Sequence, residues 1–215
     1  MPFDDREDAA RRLAMALKAY GGKHPLVLGI PRGGVPMAAT LADALEGDLD
    51  IVLVRKLGAP GNPEFAIGAV DETGWTYLAP HAAMAGADSL YVERECASQK
   101  ALLRERRARY TPGRRPVNVA GRIVIVVDDG LATGASMMAA LHAVRQHKPA
   151  LLVCAVPVAP PRTLEMLRTQ ADVVVCLESP PNFSAVGQFY RSFPQVEDDE
   201  VIACLRAHGA GKEAE

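Results

Sequence analysis

Five consecutive β-branched residues, Ile123-Val-Ile-Val-Val127, are followed at once by two carboxylates, Asp128 and Asp129. The run has no polar alternate positions, so it does not suit a strand with one wet face. It fits a central strand covered on both sides, as in a parallel sheet. Small residues follow (Gly130, Ala132, Thr133, Gly134, Ala135 and Ser136), and then the helix-like stretch Met137-Met-Ala-Ala-Leu-His-Ala-Val144. Short side chains let an anion approach the backbone N–H groups. The helix N-terminus adds unpaired donors and a partial positive charge. In open α/β sheets ligands bind beyond the carboxyl ends of the strands, where this turn lies.

The acids narrow the ligand. A turn that held only a polyphosphate would gain nothing from two adjacent anions unless a metal or sugar hydroxyls intervened. The Lys-Ser/Thr ending of a Walker A loop is absent, which disfavours a nucleotide triphosphatase. A carboxylate pair beside a monophosphate cradle suits a ribose 5-phosphate, with the acids accepting from the vicinal hydroxyls. The plainer alternative is an ordinary strand-turn-helix with chance acids. Residues 124–136, Val-Ile-Val-Val-Asp-Asp-Gly-Leu-Ala-Thr-Gly-Ala-Ser, resemble the phosphoribosyl pyrophosphate (PRPP) binding signature of the type I phosphoribosyltransferases.

The rest of the chain reads in the same style. Apolar spacing predicts a helix from Asp4 to Tyr20, capped by Asp4 or Asp5 and stopped by Gly21-Gly22. Pro25–Ile30 is a short strand running into Pro31-Arg32-Gly33-Gly34, a second small-residue turn. Its glycines let the backbone pass close to a ligand, and Arg32 offers a forked donor for phosphate oxygens. The bland reading is a glycine turn with a surface arginine. Asp50–Lys56 reads as a strand ending in two cations, Arg55 and Lys56. Leu57–Glu64, with two prolines and two glycines, reads as an irregular loop and a lid. A β-hairpin around Asp71–Gly74 follows, then one long helix from Ala87 to Tyr110. Strands at 150–156 and 172–177 flank a short helix at 160–169, completing a βαβαβ progression. Asp198–His208 is a closing helix, and Gly209–Glu215 a frayed tail.

Composition excludes several classes. A net charge of −2 gives no global attraction to nucleic acid or anionic membrane. No apolar run reaches transmembrane length, and the N-terminus is acidic where a signal peptide would be basic. Cys96, Cys154, Cys176 and Cys204 are scattered; Cys154 and Cys176 read as buried thiols, and a reducing cytoplasm is the expected location. One region departs from the average: residues 93–115 carry eight basic and three acidic side chains. This is either a solvated helix face with local ion pairs or a surface for a polyanion, although interleaved aromatics of the nucleic-acid-binding kind are missing.

The resemblance implies an α/β fold: a Rossmann-like open parallel sheet with helices on both faces, an antiparallel hairpin and a small C-terminal hood. A single domain over 1–215 is expected, with its core at about 20–177 and the hood and closing helix at about 178–210. It implies transfer of ribose 5-phosphate from PRPP to a small-molecule nitrogen acceptor with release of pyrophosphate, in a homodimer. On the matching residues, the 132–136 amides, from Ala132 through Gly134 and Ala135, would hold the 5-phosphate with the Thr133 and Ser136 hydroxyls. Asp128 and Asp129 would hold the ribose hydroxyls and meet metal only indirectly. Arg32, the Gly33 and Gly34 amides and Arg55 or Lys56 would receive pyrophosphate, with Mg²⁺ as its hard counter-ion. Phe183 either stacks on the acceptor base or joins a satellite core under the C-terminal loop.

Two departures from the family pattern bear on specificity. Ala132 stands where members acting on hypoxanthine and guanine carry an aspartate, which counts against a 6-oxopurine acceptor. Gly130 stands where a branched aliphatic is commoner, which should loosen the turn. A regulatory PRPP sensor that binds nucleic acid through residues 94–115, or a pure interaction protein, would share much of this sequence.

Overall fold

The computed structural model describes residues 2–114 and 117–209. The first helix, α1 (Arg6–Ala16), begins at Asp5, whose side chain accepts from the Asp8 N–H at 2.8 Å. Strand β1 (Leu26–Gly29), helix α2 (Gly34–Leu45) and strand β2 (Asp48–Ile51) follow. Later in the chain come α3 (Ser89–Tyr110), β6 (Ile123–Val127), α4 (Ala135–Gln146), β7 (Leu151–Val158), α5 (Pro161–Leu167), β8 (Val173–Glu178) and α6 (Asp198–Gly209). The principal sheet is parallel throughout, in the order β2-β1-β6-β7-β8.

The unbroken apolar strands are explained by a core on each face. Val27, Ile125, Val127, Val153 and Ala155 pack on one side with α1, α2 and α6. Leu26, Leu28, Val124, Val126 and Cys154 pack on the other, with α4 and α5. Leu13 and Leu17 are fully buried, so the first helix packs into the first of these cores. The four cysteines are free; Cys154 is buried, but Cys176 lies on the edge strand β8 and is only partly covered.

A second, antiparallel sheet, β3 (Val54–Ala59), β4 (Asn62–Asp71) and β5 (Thr76–Leu78), corrects two expectations. Asp50–Lys56 is not one strand. The Val52 N–H still donates to Gly29 O at 3.2 Å, after which the chain changes sheets. Asp50, 2 % exposed, anchors the break by accepting from the Val117 and Ile51 N–H groups. Val52 and Leu53 then drop into opposite cores. The stretch 57–64 is not an irregular loop either but the end of a hairpin that turns at Pro60-Gly61. Its two breakers face each other: a Cβ on Gly58 would lie 2.6 Å from Pro63 Cα, and the pairing register shifts on both sides of Gly58.

Residues 179–197 form the hood, with a 3-10 turn at Val186–Phe189. It is sewn to the N-terminus. The Phe3 N–H donates to Phe189 O at 2.7 Å, the Arg191 N–H to Phe3 O at 2.8 Å, and the Ser192 N–H to Asp4 O at 2.9 Å. Among the described residues no helix is long and apolar enough to cross a membrane. The tail beyond residue 209 and the Arg115-Pro116 end of the α3 connection lie outside the described residues.

Candidate active site

The chain steps from β1 out to β2 in one direction and from β6 to β7 and β8 in the other. The sheet order therefore switches between β1 and β6, the place beyond whose strand ends open α/β sheets bind ligands. Gly29 pairs with Val127, and the Ile30 N–H donates to Val127 O at 2.9 Å. This pairing brings the 31–34 turn against the acidic pair. The approach requires glycine: a Cβ on Gly33 would overlap Asp129 Oδ2, and one on Gly34 would lie 2.5 Å from Val127 O. The Pro31–Arg32 peptide bond is cis.

On the other side of β6 the turn at 130–134 leads into α4. Gly134 sits at its N-cap with φ 76°, a conformation most side chains avoid. The Thr163 hydroxyl donates to Ala132 O at 2.7 Å, and the Leu131 N–H to Val158 O at 2.9 Å. These bonds tie the turn to β7 and α5, while Ala132 and Thr133 remain exposed. At Gly130 the absence of a side chain has a packing reason. The space its side chain would fill is taken by Val186 of the hood, whose Cγ1 would lie 2.5 Å from a Cβ there. A cleft of about 760 Å³ opens beside the turn, bordered by Thr133, Ala135, Tyr77, His81, Arg162 and Met166.

The acidic pair is electrostatically strained. Burial, and then repulsion from Asp129, push the Asp128 carboxyl well above the usual carboxylate range, against the pull of the Asp129 N–H, Lys56 and Arg6. Burial also raises Asp129, and Arg6 opposes it. Arg6 Nε donates to Asp129 Oδ2 at 2.8 Å, and the Tyr190 hydroxyl donates to Asp129 O at 2.6 Å. Sequence reading missed both residues. Arg6 resembles its neighbours Arg11 and Arg12 on a helix surface, and no local signal marks it.

The remaining candidates divide. Arg55 and Lys56 are adjacent in β3, so their side chains leave opposite faces of the small sheet. Arg55 Nε donates to Gln99 Oε1 on α3 at 2.6 Å. Lys56 pairs with Ala69, which packs on Ala135 and Ala139 of α4, so it shares the face that meets the 130–136 turn. Arg32 Nη1 is held 3.2 Å from Glu197 and 3.9 Å from Asp198, at the start of α6. Phe183 is partly exposed, with its ring 5.2 Å from that of Phe189 and packed on the core. Thr133, Gly134, Ala135 and Ser136 stand together at the head of α4.

The chain matches the model of the phosphoribosyl transferase domain over residues 4–193. It belongs to the phosphoribosyltransferase family. Its parallel sheet, two-sided helical cover and small antiparallel sheet are those of a type I phosphoribosyltransferase. Relatives from two strains of Mycobacterium tuberculosis, provisionally named phosphoribosyl transferases, are 46 % identical over 213 residues, covering 96 % of this chain and 47 % of theirs. The chain thus spans about half the length of the curated relatives it matches. The crystal structure of TT1426 from Thermus thermophilus has 50 % identity and a TM-score of 0.82, with 97 % of this chain and 99 % of that one covered. AQ2163 from Aquifex aeolicus, at 11 % identity and a TM-score of 0.52, covers 85 % of this chain and 78 % of its own, a likeness of fold alone.

Proposed function

We propose that the chain transfers the 5-phosphoribosyl group of PRPP to a nitrogen acceptor, a nucleobase or a related compound. The bond from the anomeric carbon to pyrophosphate oxygen breaks, a bond to the acceptor nitrogen forms, and that nitrogen loses its proton. The transition state resembles an oxocarbenium ion, so catalysis rests on holding both ends of the donor and stabilising the leaving charge. The observation that carries the reading is the packing of Gly33 against the Asp129 carboxylate. It joins the two turns expected to hold pyrophosphate and ribose at the switch point of the sheet.

In this reading the amides and hydroxyls at 132–136 hold the 5-phosphate and the acidic pair holds the ribose hydroxyls. Lys56, on the α4-facing side of its sheet, suits pyrophosphate better than Arg55. Among the described residues no group of three or more His, Cys, Asp or Glu side chains is placed to hold a metal ion. Magnesium, which Asp128 and Asp129 would meet only indirectly, would supply a hard counter-charge to the departing pyrophosphate. Pyrophosphate release from PRPP, measured across a panel of nitrogen acceptors, tests the proposal. Tight PRPP binding without release for any acceptor would support a sensor instead.

The nucleic-acid reading of α3 is weakened by internal pairing. Arg107 bonds Glu72 bidentately, Arg109 meets Asp198 at 2.6 Å, and Arg114 donates to Leu49 O at 2.6 Å. These cations already have partners, which favours a solvated face with local ion pairs.

A further inference from the structure

Arg6 is tied down at three points. Its Nε donates to Asp129 Oδ2 at 2.8 Å, and its Nη1 donates to Pro194 O at 2.6 Å. Its Cζ lies 3.8 Å from the centroid of the Phe193 ring. The two side chains of the ion pair are 13 % and 16 % exposed, so the pair lies within the fold and is little screened by solvent. A guanidinium engaged by one edge and one face has a fixed plane, which an ammonium could not reproduce. Asp129 is fixed in turn. Arg6 and the close approach of Gly33 hold its Oδ2, while the Tyr190 hydroxyl holds its carbonyl. An ionised carboxylate offers two oxygens, and with Oδ2 occupied the orientation of Oδ1 is set.

We propose that Arg6 is a positioning residue: from the N-terminal helix it aims the other carboxylate oxygen of Asp129, Oδ1, at a ribose hydroxyl and couples that aim to the hood. The inference rests on the PRPP reading above. Asp129 meets the sugar, and Arg6 acts only through it. Pro194 and Phe193, which grip the other parts of the guanidinium, belong to the hood, so a movement of the hood is a movement of Arg6. The competing account makes Arg6 a staple for α1. A staple would affect folding and affect every ligand alike, whereas a positioning residue sets the discrimination between sugars that carry the hydroxyl and sugars that lack it.

The test measures affinities of the full chain for ribose 5-phosphate and its 2-deoxy and 3-deoxy analogues. The parent is expected to prefer ribose 5-phosphate over at least one analogue by about tenfold or more, the size of one charge-assisted contact. Arg6→Ala should bring that ratio close to one, and Arg6→Lys, which keeps the charge but not the fork, should restore only part of it. Arg12→Ala, which removes another α1 arginine, one that pairs with Asp8 and lies over the Phe3 ring away from Asp129, should leave the ratio unchanged. Should Arg6→Ala not fold, Arg6→Lys carries the comparison alone. A ratio equal to the parent's in the folded Arg6 variants, even with all affinities lowered together, overturns the positioning role. A parent that binds none of the three sugars overturns the PRPP reading and this inference with it.

Discussion

Arg32 Nη1 lies 3.2 Å from Glu197 Oε2, so the arginine of the β1–α2 turn is paired with the entrance of the last helix. The Glu197 side chain is 67 % exposed, and a pair that open to solvent contributes only about 0–1 kcal/mol. It is easily exchanged for a stronger anion. If Arg32 meets the departing pyrophosphate, its contact strengthens as the bond breaks. Arg32→Ala should then raise the barrier by roughly 2–4 kcal/mol, with a clearly smaller loss of PRPP affinity. Steady-state rates and an independent PRPP titration separate the two effects. Equal losses in kcat/KM and affinity at unchanged kcat would remove the leaving-group role.

Asp128 should be a residue whose function costs stability. Burial and the Asp129 charge raise its folded-state pKa above the unfolded value. Between those two values the native state holds a proton that the unfolded chain has released, so stability falls as pH rises through that window and stays reduced above it. Asp128→Asn removes the charge but keeps the oxygen that accepts from the Asp129 N–H. At neutral pH the variant should be more stable by about 0.5–2 kcal/mol. The difference should vanish in acid below the ordinary carboxylate pKa. PRPP affinity should drop by roughly 1.5–3 kcal/mol. Thermal melts across pH would refute this account if the variant were less stable than its parent at neutral pH.

Gly130 and Val186 should be energetically coupled. Gly130→Ala places a methyl 2.5 Å from Val186 Cγ1 and 3.1 Å from Val158 Cγ1, at φ 150°. Overpacking of this kind costs about 1–3 kcal/mol. Val186→Ala should relieve part of that cost, leaving a coupling of about 0.5–3 kcal/mol in a double-mutant cycle. Strictly additive losses would mean that the hood does not press on the turn in solution.

Trp75 is the chain's one tryptophan, and it stacks on His142 of α4 with ring centroids 3.6 Å apart and planes at 8°. Its emission should report docking of the small sheet on α4, the helix that follows the 130–134 turn. His142→Ala should move the emission to longer wavelength and lower stability by about 0.5–1.5 kcal/mol. Unchanged emission in the folded variant would speak against the stack.

The parts of this fold that could be read from sequence are those whose causes are local. Ile123–Val127 states its burial in its own residues, and Gly134 and Gly33-Gly34 mark close turns. The change of sheet at Val52-Leu53 left no trace, because Ile51-Val-Leu-Val54 is uniformly apolar and the anchor is Asp50 bonding to Val117. The hairpin at 57–64 was hidden by breakers that neutralise each other across the strands. Arg6 was out of reach altogether, since its partner lies 123 residues away.

The pairing of Phe3 with Tyr190 also sets an order of assembly. Contacts between distant parts of a chain carry the largest loop-closure cost and form late. A nascent chain that has reached β8 contains every strand of the principal sheet and both the 31–34 and 130–134 turns. It still lacks Tyr190, Phe193 and Pro194, so Asp129 at that stage is anchored by neither the hydroxyl nor the fully gripped guanidinium. On this ordering the two turns would meet first, and Asp129 would be anchored last, when the aromatic stretch at 183–193 closes over Phe3 and Arg6.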